Sequence, residues 1–418
     1  MKKNGTGVQL ANLSMLLYLI WLLLPAVQTT GGALAGCACV GLFGLGVLLD
    51  WAHTKQHIAG LLLRAVCAAV MPLLLRVFLH RGGDHFLGFY VQQAMFWFPL
   101  VYAGWARERG QAGTTRFVKW VLLGAVCLTV CTTIGWLIEG MTRGGRVYAY
   151  SRSLGYAGEG REAYLKELML RNIGGYDFVY AMVAALPLTA VGIQRSNGGR
   201  RWAFLALMAA QTVMIVLSQY TYAMLFAAAI LAVEIFALSV RKVSKGRIGM
   251  GWSLVIGVTP LVIGLVLLKP LTLLAANVCA QLGLTNFAFS FEQLLTALQG
   301  GVTSADSRLG YYMTAAEGFA RSPLFGSMFI SGEKLLSQHS EMLDLLSGMG
   351  VAGTALAGFM MWLMGRGLLK GVKNHPDRAQ LCVMACAVLC IAVLGTVFYS
   401  RDIMAVAAMG TLVVLTDP

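Results

Sequence analysis

Apolar runs long enough to cross a membrane recur along almost the whole chain, and this pattern constrains the fold more than any other feature. A transmembrane helix needs about 20 mostly apolar residues, and about twelve runs fit that length. Hydrophobic residues make up 58% of the 418-residue sequence and charged residues only 12%, a balance outside the range of soluble globular proteins. We therefore predict an all-α polytopic membrane protein that forms one integral-membrane domain, 1–418. The runs have the approximate limits 9–28, 32–50, 58–79, 86–104, 117–138, 177–194, 202–218, 221–239, 251–272, 345–365, 379–398 and 402–416.

Lysine and arginine residues concentrate in alternate gaps between these runs. If the N-terminus is cytoplasmic, every gap on the cytoplasmic side is basic, which is the positive-inside pattern and predicts both termini in the cytoplasm. The net charge of +14 is then explained by topology, so we expect no nucleic-acid partner. The residues concerned are Lys2, Lys3, Lys55, Arg107, Arg109, Arg116, Lys119, Arg195, Arg200, Arg201, Arg241, Lys242, Lys245, Arg247, Arg366, Lys370, Lys373 and Arg378.

The same orientation places two long segments outside, 139–176 and 269–344, with the second between the ninth and tenth runs. Arginines on that side oppose the positive-inside rule and so call for another role. A guanidinium group matches phosphate oxygens with a planar fork of donors, which suits a diphosphate-linked substrate at the membrane surface. Solvated loop charges are the alternative for Arg321, and a ligand-free surface loop is the alternative for Arg152. The outward arginines are Arg143, Arg146, Arg152, Arg161, Arg171, Arg308, Arg321 and Arg401.

The second external segment reads as helix, turn, helix. Arg308 and Tyr312 share one face of the first helix, which Pro323 should end at about Ser322. The second helix is predicted to begin near Gln338 and to continue into the tenth run, which puts His339 at the outer membrane boundary. A histidine there can accept a proton from a sugar hydroxyl, although a hydrogen-bonded interfacial residue is the alternative.

Other polar and sulfur-containing residues have simpler interpretations. Cys382, Cys386 and Cys390 have helical spacing, but no histidine or carboxylate accompanies them, so we predict packing residues, no disulfide and no metal site. Arg64 and Arg76 lie towards the two ends of the third run, where their side chains are predicted to extend to the membrane surfaces. A buried Arg64 in a substrate cavity is the alternative.

Several of these features, taken in their order, resemble the signature region of the O-antigen polymerase and ligase superfamily. They are Arg308 on an aromatic-rich helix, the turn 322–326 (Ser-Pro-Leu-Phe-Gly), the pair His339-Ser340, and the stretch 348–353 before a late run. The resemblance extends over residues 200–400 by topology, and its motifs lie within 304–353.

The resemblance implies a membrane glycosyltransferase of the bacterial cytoplasmic membrane, independent of metals and cofactors, that acts at the outer face. Such a protein polymerises oligosaccharide repeat units from an undecaprenyl-diphosphate carrier onto a second glycan, or, as a ligase, passes the glycan to a lipid or protein acceptor. Membrane lipids and a chain-length regulator would be further partners. His339 would be catalytic and Arg308 would hold the diphosphate. Further diphosphate-binding candidates are Arg321, Arg152, Arg171 and Arg401, and the supporting residues are Ser340, Glu341 and Tyr312.

The chain also departs from the family pattern. Many members have a Ser-Arg pair where this chain has Ser218 and Gln219, followed by Tyr220, so the role of that arginine could pass to Arg152, Arg171 or Arg401. Many members have His-Asn in place of His339-Ser340. The stretch 171–178 is similar to polysaccharide-biosynthesis members, which favours a polymerase over a ligase. About twelve spans with both termini inside also suit a flippase for the same glycan, but transporters more often contain internal repeats, and none is visible. A non-catalytic scaffold is the third alternative.

Overall fold

The computed structural model describes residues 5–79, 85–109, 112–142, 162–244, 269–281, 306–327, 335–337, 339–373, 375–395, 397–398 and 400–416, with 288–289, 291–292 and 295–296. The described residues contain helices and no strand. Residues 269–281 are helical, and the described residues form fourteen further helices. These are α1 (Thr6–Leu23), α2 (Pro25–Leu49), α3 (Trp51–Thr54), α4 (Ile58–Leu79), α5 (Phe86–Glu108), α6 (Ala112–Thr142), α7 (Glu162–Leu170), α8 (Tyr176–Arg195), α9 (Gly199–Ser218), α10 (Thr221–Ser244), α11 (Asp306–Arg321), α12 (Glu341–Val372), α13 (Arg378–Leu394) and α14 (Arg401–Thr416).

Seven of these helices are long and apolar enough to cross a membrane: α1, α2, α4, α6, α8, α9 and α12. The described residues are therefore all-α, as predicted, and the length and composition of these seven helices support a membrane-embedded protein. Four further predicted runs coincide with α5, α10, α13 and α14. The ninth predicted run, 251–272, lies almost entirely outside the described residues.

Helix α8 forms the centre of the molecule. It contacts α9, α10, α13 and α14, and its side chains are buried around nearly the whole circumference. The sequence of α8 is apolar on every side, with only Asp177 and Arg195 as charged residues, one near each end, and so suits a central position. Both of these charged residues contribute to polar clusters, at opposite ends of the helix.

Three consecutive residues at the C-terminal end of α5 tie this helix to three others. Arg107 Nη1 donates to the Leu415 carbonyl oxygen of α14 at 3.2 Å. Glu108 pairs with Arg64 of α4, whose Nη1 atom lies 3.1 Å from Glu108 Oε2. Arg109 pairs with Asp50, at the end of α2. The prediction that Arg64 extends to a membrane surface is wrong, because its side chain is completely buried and pairs with Glu108, which is partly exposed.

The prediction that the three late cysteines are packing residues is also wrong. Cys382, Cys386 and Cys390 are exposed on α13. The opposite face of this helix is buried and packs on α8. The physical reason is that other apolar residues occupy the face that contacts α8, so the cysteines lie on the opposite side of the helix: Leu381, Met384, Ala387 and Ile391 are buried.

Helix α12 is interrupted, and a turn fills the interruption. The backbone of Gly350 is non-helical, with φ 63° and ψ −172°. The amides of Val351 and Ala352 therefore turn to the preceding segment, where they donate to the carbonyl oxygens of Pro323 at 2.8 Å and Leu324 at 3.0 Å. The predicted turn 322–326 and the predicted second helix are thus one structural unit.

Candidate functional site

The backbone around His339 is held by a buried network of polar groups. Asp344 Oδ1 accepts from the Ser337 amide at 2.6 Å and from Ser337 Oγ at 2.7 Å. Ser337 Oγ in turn accepts from the amides of His339 at 3.2 Å and Ser340 at 2.9 Å. Ser340 Oγ caps α12 by accepting from the Leu343 amide at 3.2 Å. Buried, satisfied networks of this kind rigidify the groups that they hold.

The His339 side chain itself is exposed, unlike the residues that hold its backbone. Its ring lies against Tyr311 of α11, with 5.0 Å between the ring centroids. Ser337, Ser340 and Asp344 are completely buried. The arrangement therefore presents an accessible imidazole from a fixed position, as proton transfer requires.

Two other predicted site residues converge on the segment that joins α13 to α14. The Glu341 amide donates to the Gly395 carbonyl oxygen at 2.9 Å, and Glu341 Oε2 accepts from the Phe398 amide at 3.4 Å. Tyr312 Oη donates to the Leu394 carbonyl oxygen at 3.4 Å. This segment, 394–400, leads directly into Arg401. The start of α12, the face of α11 and the start of α14 thus meet at one place in the fold.

Arg401 lies beside two carboxylates in a cavity of about 360 Å³. The cavity is bounded by the junction of α1 and α2, by α7, and by the starts of α8 and α14. Asp177 and Asp402 line it together with Arg401, whose Cζ atom lies 5.2 Å from the centroid of the Trp21 ring. Gln28 and Tyr176 add further polar groups to the wall.

The remaining predicted arginines differ in their surroundings. Arg321 Nη2 pairs with Glu317 at 2.7 Å and Arg171 Nη2 pairs with Glu167 at 2.6 Å; all four side chains are exposed. The backbone of Arg308 lies in the first turn of α11, and the structure does not describe its side chain. Arg152 also falls outside the described residues. Of the predicted arginines whose side chains the structure describes, Arg401 alone lines the cavity.

Sequence reasoning missed Asp177 and Asp402, although both carried a signal. Each lies in the first turn of a predicted apolar run, and carboxylates are rare in this chain, with 18 Asp and Glu among 418 residues. A carboxylate at such a position is a functional-site hypothesis by default. Among the described residues, no group of three or more His, Cys, Asp and Glu side chains is arranged to hold a metal ion.

Comparison with protein-family models finds none that matches this chain, and comparison with curated proteins finds no match either.

Proposed function

We propose that the chain is a membrane glycosyltransferase that polymerises undecaprenyl-diphosphate-linked repeat units at the outer face of the bacterial cytoplasmic membrane. In this proposal the chain crosses the membrane about twelve times. Both termini are cytoplasmic, and segment 269–344 is external. His339 and Arg401 then lie on the outer side, where a flipped lipid-linked glycan presents its sugar.

The observation that carries the proposal is the exposed imidazole of His339 on a buried polar frame. A residue that only anchors a helix at the membrane surface has no need of such a frame. Ser337, Ser340 and Asp344 fix the backbone on either side of His339. A base must be held within hydrogen-bond reach of the proton that it removes, and the frame supplies that constraint.

The reaction needs one proton acceptor and one anion-binding group. The oxygen of an acceptor hydroxyl forms a bond to the anomeric carbon, while the bond from that carbon to the diphosphate oxygen breaks. Undecaprenyl diphosphate leaves with the electron pair, and His339 takes the hydroxyl proton and later releases it to water. Arg308, on the helix that carries Tyr311 and Tyr312, is proposed to bind the diphosphate through its guanidinium fork.

The test is elongation by the full chain in proteoliposomes, with lipid-linked repeat units from the host already on the accessible face. We expect His339→Ala to lower turnover roughly 10²–10⁴-fold, the usual contribution of a general base. His57→Ala is the matched control, since His57 lies in the turn between α3 and α4 and takes no part in the polar network around His339. A normal product ladder from His339→Ala would remove this residue from the mechanism.

A second variant separates phosphate binding from simple charge. Arg308→Lys keeps the charge and removes the bidentate fork, so we expect turnover to fall at least about tenfold. Arg200→Lys, at the exposed start of α9, is the control. Full activity of Arg308→Lys would reject the bidentate role.

The wild-type protein also distinguishes the competing functions. If it does not lengthen the glycan but moves the lipid-linked unit across the bilayer, the result would point to a flippase. If it transfers the glycan only to an added lipid acceptor, the result would point to a ligase.

A further inference from the structure

The cavity at Arg401 is separate from the His339 frame and has a chemical character of its own. Two carboxylates, one guanidinium group, one amide and one phenol line it: Asp177, Asp402, Arg401, Gln28 and Tyr176. Apolar side chains of α7, among them Met169, complete the wall. A volume of about 360 Å³ lies within the ordinary range of small-molecule sites.

The polar groups in this wall favour a ligand with many hydroxyl groups. Ionised carboxylates only accept hydrogen bonds, a guanidinium only donates them, and an amide does both. A sugar ring presents neighbouring hydroxyls that donate and accept at once, and its C–H faces pack on aromatic and aliphatic side chains. Asp402 Oδ1 is buried and meets no hydrogen-bond donor among the described residues, so the wall contains an acceptor that a ligand hydroxyl could satisfy.

The same wall disfavours a phosphate. The guanidinium group of Arg401 lies near both Asp177 and Asp402, which already serve as its partners. A diphosphate placed here would compete with these carboxyl groups for the one guanidinium group and would be repelled by the ionised form of either. A neutral ring meets no such repulsion.

We propose that this cavity binds a single sugar ring through its hydroxyl groups, with Asp177 and Asp402 as acceptors and Arg401 as donor. The identification of that ring as part of a lipid-linked glycan rests on the proposed function. Arg401 then becomes a sugar-binding residue, and the diphosphate is left to arginines of the external segments. Helix α7 would then pack its apolar side chains against the ring, since Leu165, Leu168 and Met169 line the cavity.

Binding can be measured without turnover. Saturation-transfer NMR is recorded on the full chain in lipid nanodiscs with the methyl glycosides of glucose, galactose and N-acetylglucosamine. We expect a signal from at least one glycoside, and we expect Met169→Trp to reduce it at least tenfold by filling the cavity. Leu170→Trp is the matched control, because Leu170 is the next residue of α7, is exposed and does not line the cavity.

A polar variant tests the hydrogen bonds. Asp402→Asn should also reduce the signal at least tenfold, and thermal unfolding of each variant shows whether it is folded. Sodium pyrophosphate should not displace the glycoside. The inference is overturned if no glycoside binds, if Met169→Trp leaves the signal intact, or if pyrophosphate displaces it. Elongation without glycoside binding would overturn the sugar site alone, whereas glycoside binding without elongation would overturn the transferase alone.

Discussion

At the scale of single residues, two glycines determine how the turn 322–326 joins α12. Gly326 and Gly350 both have positive φ, 83° and 63°. A Cβ atom on Gly350 would lie 2.4 Å from the Leu324 carbonyl carbon, and a Cβ atom on Gly326 would lie 2.2 Å from the Gly348 carbonyl oxygen. The two backbones therefore touch without side chains between them. Ser327 Oγ donates to the Ser347 carbonyl oxygen at 3.0 Å beside this contact, one turn of α12 after Asp344.

Gly350→Ala should destabilise the protein. The Gly350 backbone, with φ 63° and ψ −172°, lies in a region that is essentially restricted to glycine and costs an alanine about 1–3 kcal/mol, and displacement of the Leu324 backbone adds to that cost. Thermal unfolding of the purified protein in detergent measures the loss. Gly358→Ala is the control, since its Cβ would meet open space on the same helix. An unchanged unfolding temperature for Gly350→Ala would show that the interruption of α12 is not maintained by glycine.

The buried pair of Arg64 and Glu108 supplies a second residue-scale prediction. Arg64→Ala should lower the free energy of unfolding by about 3 kcal/mol, the lower end for a broken buried pair, because Glu108 is 29% exposed and partly solvated. Replacing both residues with methionine should recover most of that loss. Glu167→Ala breaks an exposed pair and should cost at most about 1 kcal/mol. Equal losses from Arg64→Ala and the double variant would reject the pairing explanation.

Residue-scale prediction from sequence fails for Arg64 for a physical reason. The sequence places it six residues into an apolar run, where a long side chain can reach the surface or remain inside with a partner. The choice depends on Glu108, which is 44 residues away and meets Arg64 only after α4 packs on α5. Asp177 and Asp402 were missed for the same reason, because the cavity that they share exists only when α8 and α14 are neighbours.

At the scale of elements, α14 is held at both ends by other helices. Its start carries Arg401 over the Trp21 ring, and its last carbonyl groups accept from Arg107 and Arg195. Cations at a helix C-terminus interact favourably with the helix dipole and satisfy carbonyl oxygens that lack an intrahelical partner. The short helix therefore has a defined position along its axis, which in turn fixes the height of Arg401 and Asp402 in the cavity wall.

A pH effect is expected from the cluster at the far end of α14. Arg195 Nε donates to Asp377 Oδ2 at 2.8 Å, and Arg195 Nη2 lies 3.3 Å from His375 Nε2. Partial burial and the nearby charges of Arg195 and Arg107 lower the pKa of His375 from 6.5, against the opposing effect of Asp377. The neutral ring is thus favoured in the folded state, so its contribution to stability is present above pH 6.5 and is lost as the pH falls through the lowered pKa.

The measurement is the unfolding temperature of wild type and His375→Gln between about pH 7.5 and pH 5. Wild type should lose more stability on acidification than the variant, which has no imidazole to protonate. His57→Gln serves as the control histidine. Parallel curves for wild type and His375→Gln would show that His375 does not sense pH in this range.

The helices themselves were largely predictable. Each predicted run within the described residues overlaps a helix, and the run 58–79 matches α4 at both ends. The first run, 9–28, extends across the break between α1 and α2 at Leu24. Long continuous apolar stretches permit no other regular structure in a membrane, so length and composition suffice. The interruption at Gly350 was not predicted, since a glycine pattern fits close helix packing as well as a break in the helix.

At the scale of the whole molecule, the few charges explain the architecture more fully than the positive-inside rule does. Arg107, Arg109 and Arg195 lie in gaps that the rule assigns to the cytoplasm. In the structure, each also forms a hydrogen bond or an ion pair with a residue of another helix or at its end. The carboxylate partners, Asp50 and Asp377, belong to the same end of the bundle. Paired charges thus connect the helices at their proposed cytoplasmic ends. The cavity and the polar network around His339 lie at the opposite ends.

This division of the molecule predicts a labelling pattern in intact cells. Gly310→Cys on α11 and Gly199→Cys at the start of α9 form a matched pair. Both positions are exposed, and a Cβ atom at either one would meet no other atom within 4 Å. A membrane-impermeant maleimide should label Gly310→Cys in intact cells and Gly199→Cys only after permeabilisation. The described native cysteines lie largely within apolar helices. Labelling of the unsubstituted protein measures the background signal from its native cysteines. The reverse pattern would invert the proposed orientation and place His339 in the cytoplasm, where no outer-face transferase could use it. Labelling of both positions in intact cells would mean that both lie outside. The number of membrane spans between the end of α9 and the start of α11 would then be odd, whereas the proposed topology has two.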